Sequence, residues 1–224
     1  MGRHFITGAT SGIGHELARR LHERGDDLVL LARNEERAAD LAEAFPGSGV
    51  VTADLSELPA ELPDGVPDSL DGVVHAAGVV DVASVADSDA ASLAETVAVN
   101  LVAPMAWTRL LLEPVRRGRG THVFVNSGSG LRANPHWASY NASKFGLRGF
   151  ADALRQEEAE HGVRVSSVYP GRTATRMQER VHAQEGKEYD ASQWIRPETV
   201  AEEIVRLLDL SRDATIPDVT LRPL

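Results

Sequence analysis

Apolar residues along this chain fall into two rhythms. Short unbroken runs rich in Val, Leu and Ile, such as RHFIT (3–7) and DLVLLAR (27–33), alternate with longer stretches in which apolar residues recur every three or four positions. Runs of the first kind read as buried strands and stretches of the second as amphipathic helices; their alternation is the mark of βαβ units rather than hairpins. The pattern predicts strands at 3–7, 27–33, 49–54, 71–78, 121–127, 163–170 and 217–222. Helices are predicted at 12–25, at 34–45 with Asn34 as N-cap, and at 88–117, 137–160 and 198–210. Between the third and fourth strands, Pro59, Pro63 and Pro67 break the helical pattern, so a loop is expected there. Seven strands with intervening helices imply a doubly wound, mostly parallel sheet of the Rossmann-like α/β class, covered on both faces, in a single domain. Ligands of such sheets sit at the carboxyl ends of the strands, near the switch point.

Composition narrows the partners. The 224 residues are 42% apolar, enough for one sizeable core, and 23 basic against 33 acidic residues give a net charge of −10. With the basic residues scattered, binding to nucleic acid or to an anionic membrane surface is not expected. There is no cysteine, so disulfides and thiolate metal sites are excluded. The chain enters its first apolar run without a signal-peptide pattern and has no run of 18 apolar residues, so a cytoplasmic protein is expected.

TGATSGIG (7–14) lies at the first strand-to-helix junction. Gly8 permits the tight turn, Gly12 lets the backbone approach a pyrophosphate, and Gly14 lets the helix pack close to the sheet. Thr10, Ser11 and Ile13 lie between them, at a helix start whose free N–H groups and partial positive charge suit phosphate. The second strand ends in Ala32 and Arg33, where a protein binding NAD(H) in this way would carry Asp or Glu for the ribose. A guanidinium there can grip a 2′-phosphate, so NADP(H) is expected over NAD(H), unless Arg33 is simply a solvated strand end. Asp54, at the end of the third strand, is either a contact for the adenine edge or an ordinary strand terminus.

YNASK (140–144) places a phenol and an ammonium four positions apart, hence on one face of a helix. By itself this is equally a half-exposed Tyr covered by a Lys stem. Ser127, however, ends the fifth strand thirteen residues before Tyr140, and a doubly wound sheet brings that strand end and the next helix start to one crevice. Asn100 is a polar residue in an apolar helical stretch, which taken alone reads as a helix–helix hydrogen bonder.

Taken in order, TGATSGIG, Asp54, HAAG (75–78), Asn100, Ser127, YNASK and YPGRTAT (169–175) resemble the short-chain dehydrogenase/reductase family, over essentially the whole chain. The resemblance implies that Tyr140 is the general acid/base, that Ser127 holds the substrate oxygen, that Lys144 holds the nicotinamide ribose, and that Asn100 supports a water in a relay to Lys144. It places Leu55 beside Asp54, together with Ala76, Ala77 and Gly78, at cofactor-binding positions, and Pro170, Gly171, Thr173 and Thr175 against the nicotinamide carboxamide. It also implies a substrate lid around 175–197 and a homodimer or homotetramer through the helices 88–117 and 137–160. Since a free phenol has a pKa near 10, the Lys144 ammonium and a cationic nicotinamide are expected to lower that of Tyr140 toward neutrality. Departures are His75 and Ala76 where the family has two Asn, and Ser11 where many NADP-preferring members carry Arg or Lys.

An NADP(H)-dependent enzyme interconverting a small carbonyl substrate and its alcohol is therefore expected. The rival reading is a catalytically silent NADP(H) sensor of the same fold, which leaves the joint presence of Ser127, Tyr140 and Lys144 unexplained. Trp137, Met177, Tyr189 and Trp194, with Arg132 and His136, are expected around the substrate.

Overall fold

The apolar runs pair as one sheet of seven parallel strands in the computed structural model, which describes all 224 residues. The strands are β1 (Arg3–Thr7), β2 (Asp27–Ala32), β3 (Gly49–Thr52), β4 (Gly72–His75), β5 (Thr121–Val125), β6 (Arg164–Pro170) and β7 (Asp218–Leu221), in spatial order β3-β2-β1-β4-β5-β6-β7. The order reverses between β1 and β4, whose registered pairs run from His4–Gly72 to Thr7–His75. That reversal opens the crevice where a ligand of such a sheet sits.

Seven helices flank the sheet: α1 (Gly12–Glu23), α2 (Glu35–Ala44), α3 (Ala90–Val97), α4 (Ala103–Gly118), α5 (Ala138–Glu157), α6 (Arg176–Gln184) and α7 (Pro197–Leu208). Successive strand residues face opposite sides, so Ile6 and Leu30 point to the layer of α1, α2 and α7 while Phe5 and Val29 point to the layer of α4. Leu17, Leu21, Leu41 and Ile204 fill the first layer. Trp107, Leu111 and Val115 of α4 fill the second, and Leu147, Ala151 and Leu154 of α5 cover Phe124 and Val165 beside it. The proline-rich stretch between β3 and β4 is a loop, as its sequence predicts, and its Leu55, Leu62 and Val66 cover the second layer where a helix would otherwise sit.

Three details differ from the sequence reading. The strands β3, β4 and β5 end two to three residues early, so Asp54, Gly78 and Ser127 lie just past them. Local hydrogen bonds compete with the ladder there: Asp54 accepts from the backbone and hydroxyl of Ser56, and the Ala77 N–H donates to the Thr7 hydroxyl at 3.2 Å. The predicted helix at 88–117 begins at Ala90, capped by Asp89, and contains a wide turn over Ala98–Val102. Pro104 has no N–H to offer the Asn100 carbonyl four residues back, and the Ala103 N–H reaches instead to the Ala98 carbonyl, five back. Finally, α6 was not foreseen as a helix; Thr175 caps it, accepting from the Gln178 N–H, with the T-x-x-Q spacing that starts many helices. The continuous stretch Ala90–Gly118 is long and apolar enough to cross a bilayer by length and composition; here Ala103, Trp107, Leu111 and Val115 pack it on the sheet.

Candidate active site

At the first turn of α1 the chain leaves backbone donors open. Ser11 does not cap the helix with its side chain and there is no acidic residue in the first turn, whereas α2, α3 and α6 are capped by Asn34, Asp89 and Thr175. The close packing depends on the missing side chains: a Cβ on Gly14 would lie 2.3 Å from the Gly8 carbonyl oxygen, and one on Gly8 would lie 2.6 Å from the Ala77 nitrogen. Gly8 and Gly12 also adopt φ of 76° and 57°, the left-handed region that favours glycine. This cradle fits an anionic cofactor end: open N–H groups, the positive end of a helix, and backbone that a ligand can approach closely.

From that turn a cavity of about 1010 Å³ runs past the carboxyl ends of β4, β5 and β6. It gathers Ile13, Ala76, Ala77, Gly78, Ser127, Tyr140, Lys144, Pro170, Gly171, Thr173 and Thr175, eleven of the residues singled out in the sequence. Trp137, Met177 and His136 line it too, whereas Arg132 is exposed outside it and Tyr189 and Trp194 stand behind its wall, against His182. Thr10 and Ser11 are exposed at the glycine turn, and Leu55 packs on the second apolar layer. Arg33 lines a separate hollow of about 630 Å³ with Ser56, Glu95 and Ala98. Its Nε donates to Asp54 Oδ2 at 2.9 Å, so both oxygens of Asp54 are held by the chain, by Ser56 and by Arg33.

The buried end of the cavity is held by a hydrogen-bonded frame. Lys144 Nζ donates to the Val125 carbonyl at 3.0 Å and lies 5.7 Å from the centre of the Tyr140 ring. The Asn126 amide donates to the Lys144 carbonyl and its oxygen accepts from the Ser127 N–H, tying the strand end to α5. Gly130 makes room for it, since a Cβ there would meet Asn126 Oδ1 at 2.4 Å. Asn100 sits in the wide turn and exchanges hydrogen bonds with both backbone groups of Val79 at 2.8 Å, its amide also donating to the Ser143 hydroxyl. These bonds brace the turn after β4 where the family has two Asn. His75 instead lies flat on Phe124, with ring centres 4.9 Å apart, and shares a hydrogen bond with Thr108.

The chain's own groups do not by themselves lower the phenol. Burial pushes the Tyr140 phenol above its usual value, with the Ser127 hydroxyl opposing. Burial also lowers Lys144, to about 8. Two buried groups with no carboxylate beside them each favour their neutral form.

This arrangement has known counterparts. The family profile described as short chain dehydrogenase matches residues 4–186. The chain belongs to the short-chain dehydrogenase/reductase family. A relative of this short-chain dehydrogenase/reductase, Dehydrogenase/reductase SDR family protein 7-like from Drosophila melanogaster, is 30% identical over 96% of this chain and 72% of its own length. Among solved structures, an actinorhodin polyketide ketoreductase with NADPH has a TM-score of 0.86 and 29% identity, covering 99% of this chain and 96% of its own. A 4-hydroxyisoleucine dehydrogenase complexed with NADH and succinate has a TM-score of 0.80 and 26% identity, covering 98% of this chain and 97% of its own. Family members thus carry either nicotinamide dinucleotide, and this chain is an oxidoreductase of that family. In this short-chain dehydrogenase/reductase the sequence reading missed Asn126, which the run THVFVNS marks as the polar residue ending an apolar strand, and Arg172, which lines the cavity from within PGRTAT.

Proposed function

We propose that the protein is an NADP(H)-dependent oxidoreductase that interconverts a ketone or aldehyde and its alcohol. The observation that carries this reading is the convergence of Ser127, Tyr140 and Lys144 on one cavity that opens onto the glycine cradle of α1. In this reading the Ser127 hydroxyl orients the substrate oxygen and the Tyr140 hydroxyl gives or takes the proton on it. Lys144, held by Val125, binds the ribose hydroxyls and, as an ammonium, favours the phenolate. Asn100, held against Val79, supports water at the inner end of the proton path. Pro170, Gly171, Thr173 and Thr175 border the carboxamide position, and residues 175–197 cover the substrate. A bound nicotinamide supplies the hydride. Arg33 favours NADP(H): only its Nε is engaged by Asp54, and the terminal amino groups remain for a phosphate.

The test is to mix the purified protein with NADPH and a panel of neutral ketones and aldehydes and follow nicotinamide absorbance. Consumption is expected; binding of NADPH without consumption of it by any substrate would favour the silent sensor. Met105 and Phe145, exposed on the outer faces of α4 and α5, support pairing of two copies through these helices. Light scattering is expected to give a dimer or tetramer at micromolar concentration, and a clean monomer would remove the idea.

A further inference from the structure

The cavity wall beyond the phenol carries a charge pair to which the hydride-transfer reading gives no role. The backbone of Arg172 is pinned by the segment after α6: the Ile195 N–H donates to the Arg172 carbonyl at 3.1 Å and the Ala174 N–H to the Ile195 carbonyl at 2.8 Å. Its guanidinium lies 6.0 Å from the Trp137 ring centre and 5.5 Å from that of Trp194. Trp137 in turn meets the Tyr140 ring edge-on at 5.6 Å, which puts Arg172 one ring away from the phenol. Arg172 Nη2 donates to both oxygens of Glu185, at 2.7 and 2.9 Å, and Lys187 Nζ donates to Glu185 Oε2 at 3.0 Å. Nη1 faces His182 Nε2 at 3.4 Å. Arg172, Glu185, Lys187, Trp137 and Tyr140 all line the same cavity.

A guanidinium spread against aromatic rings at a substrate wall is the group best suited to grip a carboxylate. Here the chain has placed its own carboxylate on it. Burial works against the charge of Glu185, and Arg172 and Lys187 more than offset that, holding it below the usual carboxylate value. A substrate carboxylate would have to displace Glu185 from Arg172 and leave it largely buried, with only the exposed Lys187 as partner and beside a second negative charge, which is costly on both counts. Of the other charged groups lining the cavity, Asp87 is tied to Ser84 and adds no attraction for anions, and Lys144 lies at the buried end, held by the Val125 carbonyl. The wall also carries apolar Val80, Val82, Pro135, Met177 and Val181, and the uncharged polar groups of Asn134, Gln178 and Gln184.

Resting on the reading of this cavity as a carbonyl and alcohol site, we propose that Glu185 is a built-in anion that occupies Arg172 and so selects uncharged carbonyl compounds and alcohols over oxo acids and hydroxy acids. Substrates with the same carbonyl and different charge isolate the effect. With NADPH, the wild type is expected to favour methyl 2-oxobutanoate over 2-oxobutanoate. Glu185→Gln is expected to raise the acid-to-ester ratio of kcat/KM at least about tenfold, by freeing a charge-assisted bidentate partner. Adding Arg172→Gln to that variant is expected to remove the gain, and Glu185→Ala provides the same test should Glu185→Gln not fold. A wild type that prefers the acid, or a ratio that rises less than tenfold, overturns the proposal. Calorimetry with butanoate and butanamide reads the same selection without turnover: Glu185→Gln is expected to bind butanoate at least about tenfold more tightly than the wild type does, with no such gain for butanamide. Turnover of the ester with no gain in binding defeats the charge-selection proposal alone. A gain in binding with no turnover of any carbonyl by the wild type defeats the oxidoreductase reading and leaves the charge selection standing.

Discussion

Around the N-terminus of α1 the cleft is made of backbone: Gly8, Gly12 and Gly14, an uncapped helix start, and hardly a side chain that touches a ligand position. Around Tyr140 it is made of buried side chains, with Lys144, Asn100 and Asn126 held by bonds between strand ends and helices far apart in sequence. Backbone donors are fixed by the fold and carry no proton that titrates near neutrality. Buried side chains can be tuned, and each depends on a frame that supports it. The first end suits holding a cofactor and the second suits moving a proton.

The sharpest way to break this contrast is at the phenol. Tyr140→Phe keeps the ring against Trp137 and removes only the hydroxyl, so turnover is expected to fall at least about a hundredfold, the ordinary cost of losing a general acid/base, while NADPH affinity stays within about twofold. Single-turnover kinetics with fluorescence titration of NADPH separates the two effects. Retention of more than about a tenth of wild-type kcat would remove Tyr140 from its role.

The next effect lies at the backbone end. Ala32→Asp with Arg33→Ala exchanges a guanidinium for a carboxylate beside the 2′ position and is expected to reverse the NADPH-to-NADH preference, each way by roughly ten- to a hundredfold. Because Asp54 already engages Arg33, and Arg37 pairs with Asp40 nearby, the comparison has to be made at one ionic strength. A wild type that prefers NADH, or a double variant with unchanged preference, would place discrimination elsewhere.

A smaller effect concerns the sheet beneath the proton-transfer end. His122 stacks with His75 and Phe124, neither of its ring nitrogens has a partner, and burial lowers it to about 4. A histidine depressed in the folded state takes up fewer protons than in the unfolded chain, so its contribution to stability is whole above the unfolded value and is lost as pH falls toward the folded one. Between pH 7 and pH 5 the loss is on the order of 2 kcal/mol. Denaturant titrations at both pH values are expected to show a fall in the wild type that is smaller by about that amount in His122→Phe; His75 and His4, also lowered by burial, supply the rest. Equal slopes would show that His122 makes no contribution.

The same contrast governs what the sequence discloses. Glycines at a strand-to-helix junction are local, and TGATSGIG alone announces a close approach of backbone. The seven strands and the loop at Pro59, Pro63 and Pro67 follow from local periodicity in the same way. What escaped depends on distant partners: Asn126 bridges Ser127 to Lys144, Glu185 finds Arg172 only after α6 folds back, and the raised phenol of Tyr140 reflects burial that no pentapeptide reveals. The short helix α6 was missed although its T-x-x-Q start was in view, because its apolar positions are too few to show a period.

The wide turn at Ala98–Val102 also has a geometric consequence. Each residue of a regular helix advances about 100° around the axis, so accommodating one extra residue leaves α3 and α4 out of phase by about that angle. The long segment is therefore two helices that do not keep one clock, and Asn100 stands at the slip between them. A Pro104→Ala chain would be free to wind evenly through this point, and the side chain that now meets Val79 would turn away from it.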